Sequence, residues 1–258
     1  EVSPVHVFTT QDYGGGNQNW SISQAPNKYI YVANNKGLLE YNGASWHLYP
    51  TPNGTIMRSV KSINNQIFTG FYKDFGYWEK DAYGFLEFNS IVAQKEVKMF
   101  EDEQIWEIIE LDGWVLFKSL ERIYLYNLKT KSLKILEGKG VLTKISKVND
   151  VVYFQDLEQG LFKIENGAPL LVSNDAVLRN NKLAKIFYKE DKLFLLTQNK
   201  GFYFLKNGKL ERWQVAANAY LKNKTIYSSE ILSDGTMALG TISNGVVYIT
   251  STGEVDAQ

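Results

Sequence analysis

The chain has 258 residues, with 28 basic and 28 acidic side chains, no cysteine, and aromatic residues at 14%. Lack of cysteine excludes disulfides, thiolate catalysis and cysteine-ligated metals. Balanced charge gives no reason to expect nucleic acid or an anionic membrane as a partner. No run approaches the ~18 apolar residues of a membrane-spanning helix.

The opening Glu1-Val-Ser-Pro reads as a mature start, with any signal or anchor already removed. The segment 4–10 alternates as a β-strand would. It is expected to finish the last blade and close a six-bladed ring; the alternative is a longer ring with one blade missing, which leaves an open edge. From residue 18 onward the chain repeats one phrase: a β-rich run, a tight turn, a second β-rich run. The copies occupy 31–41, 68–78, 116–126, 153–163, 195–205 and 238–248. The turns end in Gly37, Gly76, Gly160, Gly201 and Gly245, with Arg122 in that place in the third copy. Successive anchors are 39, 46, 38, 41 and 44 residues apart. A period near 40 with several strands per unit is the signature of a β-propeller.

Each unit carries four predicted strands. In the first, 20–25, 29–33, 38–41 and 45–49 are separated by Pro26-Asn27-Lys28, the tight turn and the hairpin signal Asn42-Gly43. The predicted blades are 18–50, 56–99, 104–137, 142–173, 182–215 and 225–258, read as one domain. The fold class is therefore all-β, a propeller of four-stranded antiparallel blades, six-bladed or an incomplete seven-bladed ring. Asp175–Asn180 and Val215–Leu221 are each expected to form a turn of helix. The last fourth strand, 253–258, is short.

Specific residues carry a family resemblance. The runs Asp12-Tyr13-Gly14-Gly15-Gly16-Asn17-Gln18-Asn19-Trp20, Ala33 to Gly43 and Trp46-His47-Leu48-Tyr49, with Phe75-Gly76-Tyr77-Trp78-Glu79, resemble the two-component regulator propeller family. The resemblance is strongest in the first two blades and weakest in the third. It points to N-terminal propellers of bacterial regulators, many from Bacteroidetes, that carry a triple-tyrosine domain downstream. It implies a periplasmic or extracytoplasmic sensor that belongs to a membrane-anchored protein. It also implies further domains in the same polypeptide, ending in a kinase or DNA-binding output. Related propellers respond to varied signals, often carbohydrates.

The residues offer little chemistry. His6 and His47 are the only histidines, both in strand-like runs, so no Ser-His-Asp set or histidine metal pair can be assembled. Asp74, Glu121, Asp156, Glu158 and Glu230 lie near tight turns or inner strands. They are the candidates for a paired-carboxylate glycosidase, against the simpler reading of solvated turn residues. The chain is expected to be no enzyme and to need no cofactor or metal.

A propeller gathers its interblade loops and tight turns on one face, and loops on a rigid scaffold are the usual seat of binding. Aromatic rings, amides and cations there suit a small-molecule or oligosaccharide ligand. The candidates are Tyr13, Asn17, Trp20, Asn34, Asn35, Arg58, Tyr72, Lys73, Trp106, Arg122 and Asn199. For Trp20 and Trp106 the competing reading is packing between blades; for Asn34 and Asn199 it is ordinary turn chemistry. The leading expectation is a ligand-sensing domain. The alternatives are a structural or homodimerising propeller and a carbohydrate-active enzyme, a glycosidase or lyase.

Overall fold

The computed structural model describes residues 6–206 and 208–256. It is a β-propeller of six four-stranded antiparallel blades, each sheet ordered as its strands occur in sequence. Blade one is β1 (Asn19–Gln24), β2 (Ile30–Asn34), β3 (Gly37–Tyr41) and β4 (Trp46–Pro50); blade two is β5 (Met57–Ile63), β6 (Gln66–Phe71), β7 (Asp74–Lys80) and β8 (Leu86–Ser90). Blade three is β9 (Glu107–Leu111), β10 (Trp114–Lys118), β11 (Arg122–Asn127) and β12 (Leu133–Glu137); blade four is β13 (Leu142–Val148), β14 (Val151–Asp156), β15 (Gly160–Glu165) and β16 (Ala168–Ser173). Blade five is β17 (Leu183–Lys189), β18 (Lys192–Thr197), β19 (Gly201–Lys206) and β20 (Lys209–Arg212); blade six is β21 (Ile226–Ile231), β22 (Met237–Thr241), β23 (Val246–Ile249) and β24 (Val255–Asp256). Four short helices lie outside the blades: α1 (Thr10–Tyr13), α2 (Ile91–Gln94), α3 (Ala176–Asn180) and α4 (Ala217–Leu221). The last two are the helical turns expected from sequence.

The chain forms two compact units, Glu1–Ile135 and Leu136–Gln258. In each, the second strands explain the packing. Along β6, Ile67 and Phe71 join a core with Tyr31, Ala33, Leu38, Met57 and Val60 of blade one and the start of blade two. Phe68 points the other way, into a core with Ile105, Val115, Phe117 and Tyr124 of blade three. Alternate residues of a strand face opposite sides, so a strand sandwiched between blades must be apolar on both. In the second unit β18 does the same. Leu193 and Leu195 pack with Val148, Leu161 and Ile186, while Phe194 and Leu196 pack with Met237, Leu239 and Val247. Serines of the inner strands stitch neighbouring blades. Ser21 Oγ donates to the Val60 carbonyl at 3.3 Å and Ser59 Oγ to that of Ile105 at 2.9 Å; in the second unit Ser229 Oγ donates to Ala184 at 3.2 Å.

The repeated glycine has a steric cause. A Cβ on Gly37 would lie 2.2 Å from the Tyr49 carbonyl oxygen, on Gly76 2.0 Å from that of Asn89, and on Gly160 2.2 Å from that of Ser173. A glycine at or near the start of the third strand thus presses on the backbone of the fourth strand, and no side chain fits. Gly245 differs: its surroundings are open and only its φ of +66° favours glycine.

The N-terminal segment departs from expectation. Residues 4 and 5 lie outside the described residues, 6–9 form no strand, and Thr10 opens α1. A capping box explains the helix: Thr9 N–H donates to Asp12 at 2.5 Å and the Thr9 hydroxyl at 2.8 Å. Phe8 lies 5.1 Å from Tyr41 and 5.3 Å from Trp46 between ring centroids, so this segment packs on blade one. Blade six is completed by its own short β24, while residues 257 and 258 of the expected last strand lie outside the described residues.

Two glycine substitutions separate contact from conformation. G76A should cost about 2–4 kcal/mol, because backbone must move. G245A should cost about 1 kcal/mol, the left-handed penalty alone. Urea denaturation of both variants checks the order; equal losses would contradict the steric account.

Candidate ligand-binding site

The site begins with a bulge that recurs at the start of the inner strands. In β1, Asn19 pairs with Asn34 and Ser21 with Ala33, so Trp20 is left out of the ladder. In β5, Met57 pairs with Phe71 and Ser59 with Gly70, which leaves out Arg58. Thr143, Ala184 and Tyr227 occupy the same place in blades four to six. In blade three Trp106 stands just before β9, its N–H on the Lys118 carbonyl at 2.8 Å. A bulge re-aims a side chain, and such features gather near functional sites.

In the first unit the released residues converge. The Arg58 guanidinium carbon lies 4.0 Å from the Trp20 ring centroid and 4.7 Å from that of Trp106. The two indoles meet edge to face at 6.2 Å. Arg58 Nε donates to Gln104 Oε1 at 2.8 Å, and Trp20 Nε1 donates to Asn35 Oδ1 at 2.8 Å. Asn35 in turn donates to Gln18 Oε1 at 3.2 Å. A cation held between two indoles is fixed in place while keeping its charge, each contact being worth about 0.5–2 kcal/mol. Trp20, Asn35, Arg58 and Trp106 are thus one half-buried cluster. Gln104 joins it without having been picked out from sequence; nothing in the local pattern marks a loop glutamine as the partner of an arginine 46 residues away.

Tyr72 borders the same loop. It bridges to Gln104, and its hydroxyl donates to the Glu101 carbonyl at 2.6 Å, while Asn53 Nδ2 donates to the Tyr72 carbonyl at 2.9 Å. Lys73 is exposed in the left-handed turn, φ +54°, with its N–H on the Glu103 carbonyl. Tyr13 closes α1, and its hydroxyl donates to the Gly16 carbonyl at 3.2 Å. Asn17 is exposed in the loop that follows, and Asn199 is exposed in the β18–β19 turn of the second unit.

Asn34 is fully buried and its amide serves the fold. Its Oδ1 accepts from Gly16 N–H at 2.7 Å and Lys36 N–H at 3.0 Å; its Nδ2 donates to the Gly16 and Gln18 carbonyls and to Asn19 Oδ1. This pins the glycine-rich entry loop, where Cβ atoms on Gly15 and Gly16 would come within 2.9 Å of Asn34 and Asn35. Gln155 plays the same part in blade four, donating to the Leu178 and Asn181 carbonyls.

Arg122 is held by a buried acid. Glu103, 1% exposed, accepts from Ser119 Oγ at 2.7 Å, Tyr124 OH at 2.8 Å and Phe100 N–H at 2.9 Å. Arg122 lies 3.8 Å from this carboxylate, donates to the Lys98 carbonyl at 2.9 Å, and covers the Phe100 ring at 3.7 Å. Burial pushes the Tyr124 hydroxyl up, so it remains a donor. The long second interval of the repeat, before the third turn, contains the 91–106 connection, which carries α2 and brings Glu103 to Arg122. The non-glycine third turn and the long interval are therefore one feature.

Three of the five acids singled out from sequence, Asp156, Glu230 and Asp74, are engaged separately. Asp156 accepts the N–H groups of Lys139 and Gly140 at 2.8 Å each, and Glu230 pairs with Lys185 at 3.1 Å. Asp74 accepts from Ser90 Oγ at 2.7 Å and Phe75 N–H at 2.8 Å, and burial pushes its carboxyl above the ordinary aspartate value. Among the described residues, no group of three or more His, Cys, Asp and Glu side chains is placed to hold a metal ion.

No protein-family model matches this chain, and no curated protein sequence does. Solved structures do. One is the extracellular domain described as that of a hybrid two-component system, BT3049, from B. thetaiotaomicron, with a TM-score of 0.70 at 18% identity over 98% of this chain and 35% of that one. Another is the extracellular domain described as that of a one-component system, BT4673, from the same organism, with a TM-score of 0.68 at 15% identity over 92% of this chain and 33% of that one. The WD40 propeller of Doa1 gives a TM-score of 0.68 at 10% identity over 94% of this chain and 82% of that one. The likeness is one of fold, and the chain spans about a third of the length of the two regulator domains.

Two outcomes follow. R122G restores the glycine of the repeat yet should cost about 2–3 kcal/mol in urea denaturation, because the buried Glu103 carboxylate loses its cation. For Asp74 the folded-state pKa is above the unfolded one, so the unfolded chain ionises first as pH rises. Asp74 then penalises folding increasingly above the unfolded value, about 3.9. D74N should therefore gain stability relative to the parent between about pH 3 and pH 7; a difference constant with pH would contradict this.

Proposed function

We propose that this chain is the extracytoplasmic ligand-binding propeller of a bacterial membrane-bound regulator, working by binding and without chemistry. The observation that carries this reading is the likeness of fold to the BT3049 extracellular domain over 98% of this chain. It agrees with the regulator-propeller resemblance in the first two blades. The location proposed is periplasmic, and the partners are further domains of the same polypeptide. The candidate ligand is a carbohydrate: indole faces suit the C–H faces of a sugar ring, while Asn35, Arg58, Gln104 and Tyr72 offer hydrogen-bonding groups beside them. The engagement of Asp156, Glu230 and Asp74 in separate local bonds supports binding over paired-carboxylate hydrolysis.

Isothermal titration against an oligosaccharide panel tests the reading. One class of sugar should bind saturably, and W106A should weaken it at least about 10-fold. Absence of binding across the panel, together with self-association in sedimentation, would replace it with the dimerising-propeller reading.

A further inference from the structure

Blade one is apolar on both faces. On the side of blade two, Tyr31, Ala33 and Leu38 are buried in the shared core. On the other side a row of aliphatic residues crosses all four strands: Ile22 pairs with Val32, Val32 with Leu39, and Leu39 with Leu48. Directly opposite residues of an antiparallel pair share a face, and successive residues of a strand take opposite faces. An antiparallel sheet with one face in water alternates apolar and polar residues. In β2 the run Tyr31-Val32-Ala33 does not alternate, which suits a strand covered on both sides.

The repeat shows what covers this face elsewhere. The equivalent of Ile22, two places beyond the bulged residue, is Val60 in blade two and Ile186 in blade five. Val60 is 3% exposed and packs with Tyr31, Ala33 and Leu38 of blade one; Ile186 is 2% exposed and packs with Val148 and Leu161 of blade four. In both cases the cover is the sheet of the preceding blade. Ile22 is 70% exposed. Only the outer edge of its face has the corresponding cover. The cross-strand pair Trp78–Phe88 of blade two matches Tyr41–Trp46 of blade one. Tyr49, near the end of β4, lies 6.1 Å from Trp78 between centroids, and Phe8 lies 5.1 Å from Tyr41. The N-terminal segment thus stands where the fourth strand of a preceding blade would. Beside it a cleft of about 420 Å³ opens over Ile22, Val32 and Leu39.

We propose that this face of blade one is the docking surface for a further four-stranded blade of the same polypeptide, which lays an apolar sheet face on Ile22, Val32 and Leu39 with the N-terminal segment along its outer edge. Continuity with the blade-to-blade packing of the repeat supports this occupant. So does length, since this chain spans only 33% and 35% of the two regulator domains that share its fold. The inference rests on the longer polypeptide proposed above and on nothing about its ligand.

Thiol labelling tests it. The chain has no cysteine, so I22C places a single thiol on the face. A44C, in the exposed turn between β3 and β4, is the control. Alkylation by N-ethylmaleimide is followed by peptide mass spectrometry in this chain and in the full-length polypeptide. In this chain the two thiols should react at similar rates. In the full-length polypeptide the I22C thiol should react at least about 10-fold more slowly, with A44C unchanged. I22R should lower the melting temperature of the full-length polypeptide and leave that of this chain unaltered. Equal I22C reactivity in the two polypeptides would overturn the proposal. Protection already present in this chain would do the same: in a monomer the chain covers the face itself, and in a dimer seen by sedimentation a second copy does. A gene product no longer than this chain would also overturn it. Oligosaccharide titration reads the sensor proposal separately: protection without sugar binding keeps the blade and rejects the sensor, and sugar binding without protection does the reverse.

Discussion

At or near the start of the third strand in blades one, two and four, a carbonyl oxygen of the fourth strand sits where a β-carbon would have to go. The two strands approach so closely there that only a bare Cα fits. The constraint sets the blade's shape: it places the tight turn, the third strand and the end of the fourth strand in one fixed relation. The loop that leaves the fourth strand then begins at a defined point, and so does the inner strand it feeds.

The bulges decouple function from fold. A residue in the ladder is committed to a face and a neighbour, whereas a bulged one is re-aimed. That single backbone position holds Trp20, Arg58, Thr143, Ala184 and Tyr227, which share no chemistry. In the first unit the result is a cation between two indoles. Burying a charge demands such compensation, and two aromatic faces plus the Gln104 oxygen supply it. Glu103 poses the opposite problem and receives Ser119, Tyr124, the Phe100 N–H and Arg122. Both solutions draw on the 91–106 connection, the one long interblade segment of the first unit.

Buried amides do the remaining work of holding loops still. Asn34 makes five hydrogen bonds, four of them to residues 16–19 of the glycine-rich entry, and Gln155 ties blade four to the turn that carries α3. A loop rigid enough to recognise a ligand needs its backbone groups satisfied. The same entry loop also sets Tyr13 against Trp46, so one pinned segment serves the arginine cluster through Asn35 and Gln18 and packs on blade one through Tyr13.

Much of the architecture was legible in the chain itself. Turn glycines near a 40-residue period, hairpin signals such as Asn42-Gly43 and doubly apolar second strands determined six four-stranded blades, because these are local demands of backbone conformation and of burial on both faces. Trp20, Asn35, Arg58 and Trp106 could be named for the same reason: they stand at strand starts and turns, where a scaffold presents side chains. What they do together was decided only by tertiary structure. Whether Arg58 meets water, a ligand or two indoles depends on the approach of three blades, and whether Asn34 faces out or pins a loop depends on where residues 16–19 fold back. The 4–10 run reads as a strand by alternation, yet from Phe8 onward aromatic contacts and the Thr9–Asp12 cap lead the chain onto blade one and into α1. Periodicity records what one segment can bury; it holds no information about which of several surfaces will be there to bury it.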